Sequence, residues 1–206
     1  MAADYTNIIF DLGGVLLNLD VTKTVDAFAS LSGRPSYEVA VMMQSPLFLD
    51  FERGSISPMQ FRQEVRQWLS TSLTDTEIDS AWNAMLGELP SARLALVDQL
   101  RYRHRIFLLS NTNAIHLACF EKIAQQASGH RAFSSYFDRA YYSHEMGMRK
   151  PDVEIFKTVL QQQGIEAGET IFLDDNKQNM EGAKQAGIHS VLITDPDQIF
   201  SVFHER

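Results

Sequence analysis

The chain opens on an unbroken apolar run, Ile8-Ile9-Phe10, which Asp11 cuts off and Gly13-Gly14 turn. A short run of this kind, rich in β-branched residues and bounded by a turn signal, predicts a strand of a parallel sheet buried on both faces. Residues 105–110, 139–143, 170–175 and 190–194 read as further strands on the same grounds. Between them the apolar positions return every three or four residues, predicting helices over 114–126, 151–163 and 177–186. In the second of these Val153, Phe156, Val159 and Leu160 share one face, Pro151 stands at the start and Gly164 past the end. Strands alternating with helices predict an α/β fold, a doubly wound and mainly parallel sheet with both faces covered.

Residues 18–88 lack the strand pattern. Val25, Phe28, Ala29 and Leu31 have helical spacing, and a second helix is expected over 37–43. Residues 47–51 lead into Glu52-Arg53-Gly54, a helix end with glycine at the left-handed position. Ser57-Pro58-Met59-Gln60 and Thr74-Asp75-Thr76-Glu77 are capping boxes, opening helices with Phe61, Val65, Trp68 and Leu69 on one face and Ile78, Ala81, Trp82 and Met85 on the other's. An all-helical stretch within a strand-helix chain marks an inserted helical domain.

Composition narrows the possible chemistry. The 206 residues are 45% hydrophobic, enough for a core carrying a smaller insertion. A net charge of -8, with scattered basic residues, excludes a surface built to neutralise nucleic acid. No apolar run approaches membrane-spanning length, and residues 1–11 lack the basic and apolar regions of a leader, so a cytoplasmic protein without membrane partners is expected. The single cysteine, Cys119, sits among Leu117, Ala118 and Phe120 and reads as a buried structural thiol.

Four strand or loop ends carry a coherent set of polar groups: Asp11, then Ser110-Asn111-Thr112, then Lys150, then Asp174-Asp175. In an open α/β sheet the carboxyl edge of the strands is where ligands bind. Carboxylates brought together there repel unless a cation lies between them, and hard oxygen ligands select Mg²⁺. Serine and asparagine supply donors for phosphoryl oxygens, and lysine a compact positive charge. The set points to phosphoryl transfer.

Set out as FDLGGVLL, LLSNTN, MGMRKPD and FLDDNKQNMEGAKQAG, these stretches resemble the four motifs of the haloacid dehalogenase superfamily, in order and over essentially the whole chain. The resemblance is to the subfamily with a helical cap, and the wording of the motifs is most similar to its glucose-1-phosphate phosphatase branch. It implies a Rossmann-like catalytic core over residues 1–17 and 89–206, a cap over 18–88, and a Mg²⁺-dependent phosphatase for a small phosphate monoester, a sugar 1-phosphate such as glucose 1-phosphate in particular. It further implies that Asp11 attacks phosphorus and forms an aspartyl-phosphate. Asp11, the Gly13 carbonyl and Asp175 would hold Mg²⁺, Asp174 acting either as a ligand or in support, with Asn179 supporting. Ser110, the Asn111 backbone and Lys150 would bind the phosphoryl group. A monomer or weak homodimer is expected.

One position departs from the family pattern. Phosphatases of this superfamily usually carry a second aspartate two residues after the nucleophile, and this chain has Gly13. General acid–base help is worth roughly 10²–10⁴ in rate, so its absence favours leaving groups that depart without protonation, and predicts slow hydrolysis of the aspartyl-phosphate. Two other readings stand beside the phosphatase: a 2-haloacid dehalogenase, for which paired acids at 174–175 are unfavourable, and a non-catalytic phospholigand-binding protein, which Gly13 would suit. Specificity is expected from the cap, at Glu52 and Arg53, with Trp82 in the cap core. Arg149 is expected in solvent, and His104, His116, His144 and His189 without a chemical role.

Overall fold

Strand β1 (Asn7–Phe10) is buried along its whole length and forms the middle of the sheet. The computed structural model describes residues 5–129 and 131–203, so the leader-free reading of residues 1–4 lies outside the described residues. Beside β1 lie β2 (Arg105–Ser110) and β4 (Thr170–Asp174), and outside them β3 (Arg139–Tyr142) and β5 (His189–Leu192), in the order β3-β2-β1-β4-β5 with every pairing parallel. The chain builds outward from β1 in one direction, then returns to build in the other. The crevice at the carboxyl end of β1 therefore lies at a topological switch point.

The alternation within the strands assigns their faces. Ile8, Phe10, Ile106 and Leu108 pack on one side against α6 (Ser91–Leu100), α7 (Ala114–Ala127) and α11 (Gln198–Phe203) through Leu94, Val97, Phe120 and Ile199. Ile9, Phe107, Leu109 and Phe172 pack on the other against α9 (Val153–Gln163) and α10 (Lys177–Gln185) through Ile155, Phe156, Val159 and Ala183. Both faces are covered, as a parallel sheet requires. The short α8 (Ser143–Met146) follows β3 directly.

Between β1 and β2 the chain forms α1 (Val21–Ser32), α2 (Ser36–Met42), α3 (Pro46–Glu52), α4 (Pro58–Leu69) and α5 (Asp75–Asn83). Phe28, Phe48, Phe51, Phe61 and Trp82 give these helices an aromatic core of their own, which Ile115 of α7 joins. Both capping boxes form, Ser57 with Gln60 and Thr74 with Glu77. Arg62 ties α4 to α5 through two 2.8 Å hydrogen bonds to Asp79. The two connections are joined to each other: Asn18 N donates to Glu88 O at 2.9 Å and Gly87 N to Asn18 O at 2.8 Å.

Helices α6 and α11 were not anticipated from the pattern of the sequence. In α6 the buried set is Arg93, Leu94, Leu96 and Val97, one helical face on which a charged residue stands among the apolar ones. Arg93 is buried because its guanidinium donates to Leu16 O at 3.2 Å, Asn18 Oδ1 at 2.7 Å and Asp197 Oδ1 at 2.9 Å. Cys119 is half-buried rather than enclosed, with partial burial raising its thiol pKa. Among the described residues no helix is long and apolar enough to cross a membrane.

Candidate active site

Three adjacent strands end in Ser110, Asp11 and Asp174. Asp11 follows β1 directly and its N–H donates to Leu173 O at 2.9 Å, continuing the β1–β4 ladder by one residue. Ser110 is the last residue of β2 and Asp174 the last of β4. Lys150 arrives from the loop between α8 and α9, placed by Asn111, whose side chain donates to Lys150 O and accepts from Lys150 N, both at 2.9 Å. Its Nζ donates to Asp11 Oδ1 and to Asp174 Oδ2, each at 2.7 Å, and the residue is 1% exposed. A buried ammonium is tolerated only with such partners.

Asp11, Asp174 and Asp175 each offer a carboxylate oxygen, all within 4.8 Å of one another. Asp174 is fully buried and fixed by Asn176 N at 2.7 Å and by Asn179 Nδ2, 3.0 Å from each of its oxygens. Asp175 is more exposed and lies against Gly14. Gly14 has φ +72, and a Cβ there would stand 2.1 Å from Asp175 Oδ2, so only glycine fits both the turn and the approach.

The electrostatics are those of a site short of positive charge. Burial lifts the Asp11 carboxyl to about 7, with Lys150 drawing it down and Asp174 pushing it up. Burial also raises Asp175, and the neighbouring Asp174 adds to the shift. Burial opposes the charge on Lys150, but the two carboxylates outweigh it and raise its pKa. Three hard oxygen donors with one lysine between them, and among the described residues no histidine or cysteine in the cluster, fit a divalent cation of the Mg²⁺ type.

A cavity of about 340 Å³ extends from Gly13, Ser110 and Asn111 into the space under α1, α3 and α5. Where a Cβ on Gly13 would stand, Leu19 Cδ2 lies 3.2 Å away, so an apolar side chain fills the space beside this position. Glu52 lines the cavity, whereas Arg53 does not and instead faces Asp152 at 3.3 Å. Arg149 is not in solvent as expected. Its guanidinium bonds Glu52 Oε2 at 2.8 and 3.0 Å, drawn in because α3 returns across the loop that carries it. Ser143, which the sequence reading did not single out, donates to Glu52 O at 2.6 Å and accepts from Thr112 N at 2.9 Å, joining α3 to the loop after β2.

His116, expected without a chemical role, is buried. It stacks on Trp82 with centroids 4.5 Å apart, pairs its Nδ1 with Asn83 Oδ1 at 2.9 Å, and burial lowers its pKa to about 3. The available sequence signal was Asn113, which caps α7 and accepts from both His116 N and Trp82 Nε1. His104 bonds Tyr5 O and His189 stacks on the Tyr5 ring, both at the amino ends of strands, opposite the carboxyl edge that carries the acids.

A family model described as haloacid dehalogenase-like hydrolase matches residues 5–187. A D-ribitol-5-phosphate phosphatase of Bacteroides thetaiotaomicron is 29% identical over 187 residues, covering 89% of each chain. The solved structure of a HAD-family enzyme from the same organism is similar with a TM-score of 0.89 and 34% identity, covering 98% of this chain and 99% of its own. A structure of that enzyme in complex with magnesium and inorganic phosphate is similar with a TM-score of 0.83 and 36% identity, over 91% and 93% of the two chains.

Proposed function

We propose that this chain, which belongs to the haloacid dehalogenase-like hydrolases and is a phosphatase using Mg²⁺, hydrolyses a small phosphate monoester through a covalent phosphoryl group on Asp11. The observation that carries this reading is the arrangement of Lys150 between Asp11 and Asp174, with Asp175 alongside, at the carboxyl edge of the sheet.

Asp11, the Gly13 carbonyl and Asp175 would hold Mg²⁺, with Asp174 in support, because both its oxygens already accept hydrogen bonds from Asn179 and one of them also from Lys150. A bound divalent cation supplies positive charge that keeps Asp11 ionised and offsets charge on the phosphoryl oxygens. A carboxylate oxygen of Asp11 attacks phosphorus in line, and the bond from phosphorus to the alcohol oxygen breaks as the new bond forms. Ser110 Oγ, the Asn111 N–H and the remaining Lys150 N–H group stabilise the phosphoryl oxygens. Water then attacks the same phosphorus, releasing inorganic phosphate and restoring the Asp11 carboxylate. The paired acids disfavour the dehalogenase alternative, since an anionic haloacid would meet Asp174 and Asp175.

With Gly13 in place of an acid, the alcohol oxygen leaves carrying its charge. That favours esters whose leaving oxygen is already acidic, so a sugar 1-phosphate such as glucose 1-phosphate ranks above a sugar 6-phosphate. The ribitol 5-phosphate in the relative's name is the competing sugar-alcohol ester. Residues 18–88 act as a cap on a core of 1–17 and 89–206, and the protein works in the cytoplasm as a monomer or weak homodimer. Phosphate release from glucose 1-phosphate, glucose 6-phosphate, ribitol 5-phosphate and p-nitrophenyl phosphate, with and without Mg²⁺ and beside Asp11→Asn, tests the reading. Release dependent on Mg²⁺ and Asp11, and faster from glucose 1-phosphate than from the 5- and 6-phosphates, is expected. A preference for the 6-phosphate would overturn the leaving-group argument.

A further inference from the structure

The cavity beside Asp11 is walled mainly by hydrocarbon. Leu19, Val21, Met43, Leu49, Trp82 and Leu86 line it beyond Gly13 and Ser110. Among the described residues eight large hydrophobic side chains are exposed, and three of these, Leu19 at 41%, Val21 at 47% and Leu49 at 38%, line this cavity. Apolar surface gathered at the mouth of a site marks a place that a ligand covers.

On the wall the side chains of Glu52, Asn111, His116 and Arg149 already have partners. Arg149 and Glu52 are bonded together, Asn111 holds the backbone of Lys150 on both sides, and His116 Nδ1 pairs with Asn83. A polyol entering here would give up its water for groups that already have partners, and each unpaired hydroxyl would count against it. A hydrocarbon group would lose nothing and cover the exposed leucines and valine.

We propose that the phosphate ester cleaved at Asp11 is that of an apolar alcohol, and in particular of a phenol, whose hydrocarbon body occupies the cavity under α1, α3 and α5. The proposal rests on the phosphatase reading and names the substrate class within it. A phenol also satisfies the absence of an acid at Gly13, because its oxygen departs as a stabilised anion while the Asp11–phosphorus bond forms.

The test is kcat/KM for phenyl phosphate and its 4-methyl, 4-propyl and 4-pentyl derivatives, measured with Mg²⁺ on the full chain beside glucose 1-phosphate. Alkyl groups at this position scarcely change the acidity of the phenol, so the series isolates burial from leaving-group strength. A rise of about fourfold per methylene, equivalent to ~0.8 kcal/mol, is expected until the cavity is filled. Leu49→Ser and Val21→Ser, at exposed positions of the wall, are expected to reduce the rise to less than about twofold, with a thermal melt confirming the fold. A flat series, or glucose 1-phosphate outrunning every aryl ester, would overturn the apolar assignment and leave the phosphatase standing. A rise that both variants preserve would overturn the assignment to this cavity. No release from any of these esters would instead overturn the reading of Asp11 on which the proposal rests.

Discussion

At the scale of residues, the burial of Lys150 links fold and chemistry. An ammonium this enclosed is stable because Asp11 and Asp174 face it at 2.7 Å, and the acids are held close together because it is there. Asn179 completes the set by donating to both Asp174 oxygens. Replacing such a supporting partner typically costs 10–100-fold in metal affinity. Asn179→Ala is therefore expected to weaken Mg²⁺ binding by about tenfold or more, measured by calorimetric titration. His116 gives a second prediction. Its folded pKa is about 3, against about 6.5 in the unfolded chain. Between those values the unfolded chain binds a proton that the folded one does not, so stability is full above pH 6.5 and falls as the pH drops toward 3. The loss is on the order of 2–3 kcal/mol between pH 6.5 and 4.5. His116→Gln is expected to remove that part of the slope in urea melts across this range. The acids and Lys150 were legible in the sequence because each ends an apolar strand or follows a turn signal. Leu19 over Gly13 and Arg149 against Glu52 were not, because both depend on how the helical segment folds back.

At the scale of elements, local signals and tertiary contacts divided the work. Ser57 and Thr74 were readable as caps because a capping box is a local hydrogen-bond exchange across four residues. Helix α6 was not, since its buried face is fixed by Arg93 reaching to Leu16, Asn18 and Asp197, positions far off in the chain. The turn after α3 combines both kinds of information. Gly54 has φ +68, and a Cβ there would meet His144 O at 2.2 Å, so the residue that ends α3 also sets how closely it packs on α8. Ser57→Ala is expected to cost about 1 kcal/mol with substrate KM unchanged. Gly54→Ala carries the ~1–2 kcal/mol of a left-handed residue plus the clash, and is expected to change KM as well because α3 carries Glu52 into the cavity wall. Urea melts with steady-state kinetics on both variants separate a local cap from a contact that positions the site.

For the whole molecule, strand order turns separated motifs into one site. Asp11, Ser110 and Asp174 lie far apart in the chain, yet the order β3-β2-β1-β4-β5 sets their strands side by side and ends them at one edge. Parallel topology was legible because buried strands alternate with helices, and the right-handed crossover leaves few arrangements. The apolar character of the cavity was not legible, since its walls come from α1, α3, α5, α7 and the loops that join distant elements. In the proposed mechanism Asp11 carries the phosphoryl group during turnover. The direct measurement is acid quenching of a steady-state reaction with a phosphorus-labelled aryl phosphate and Mg²⁺, followed by peptide mapping. Label on the peptide containing Asp11, absent from Asp11→Asn and lost on a chase with unlabelled ester, is the predicted result. Rapid phosphate release by the wild-type protein with the label on another residue, or undiminished release by Asp11→Asn, would rule out Asp11 as the nucleophile.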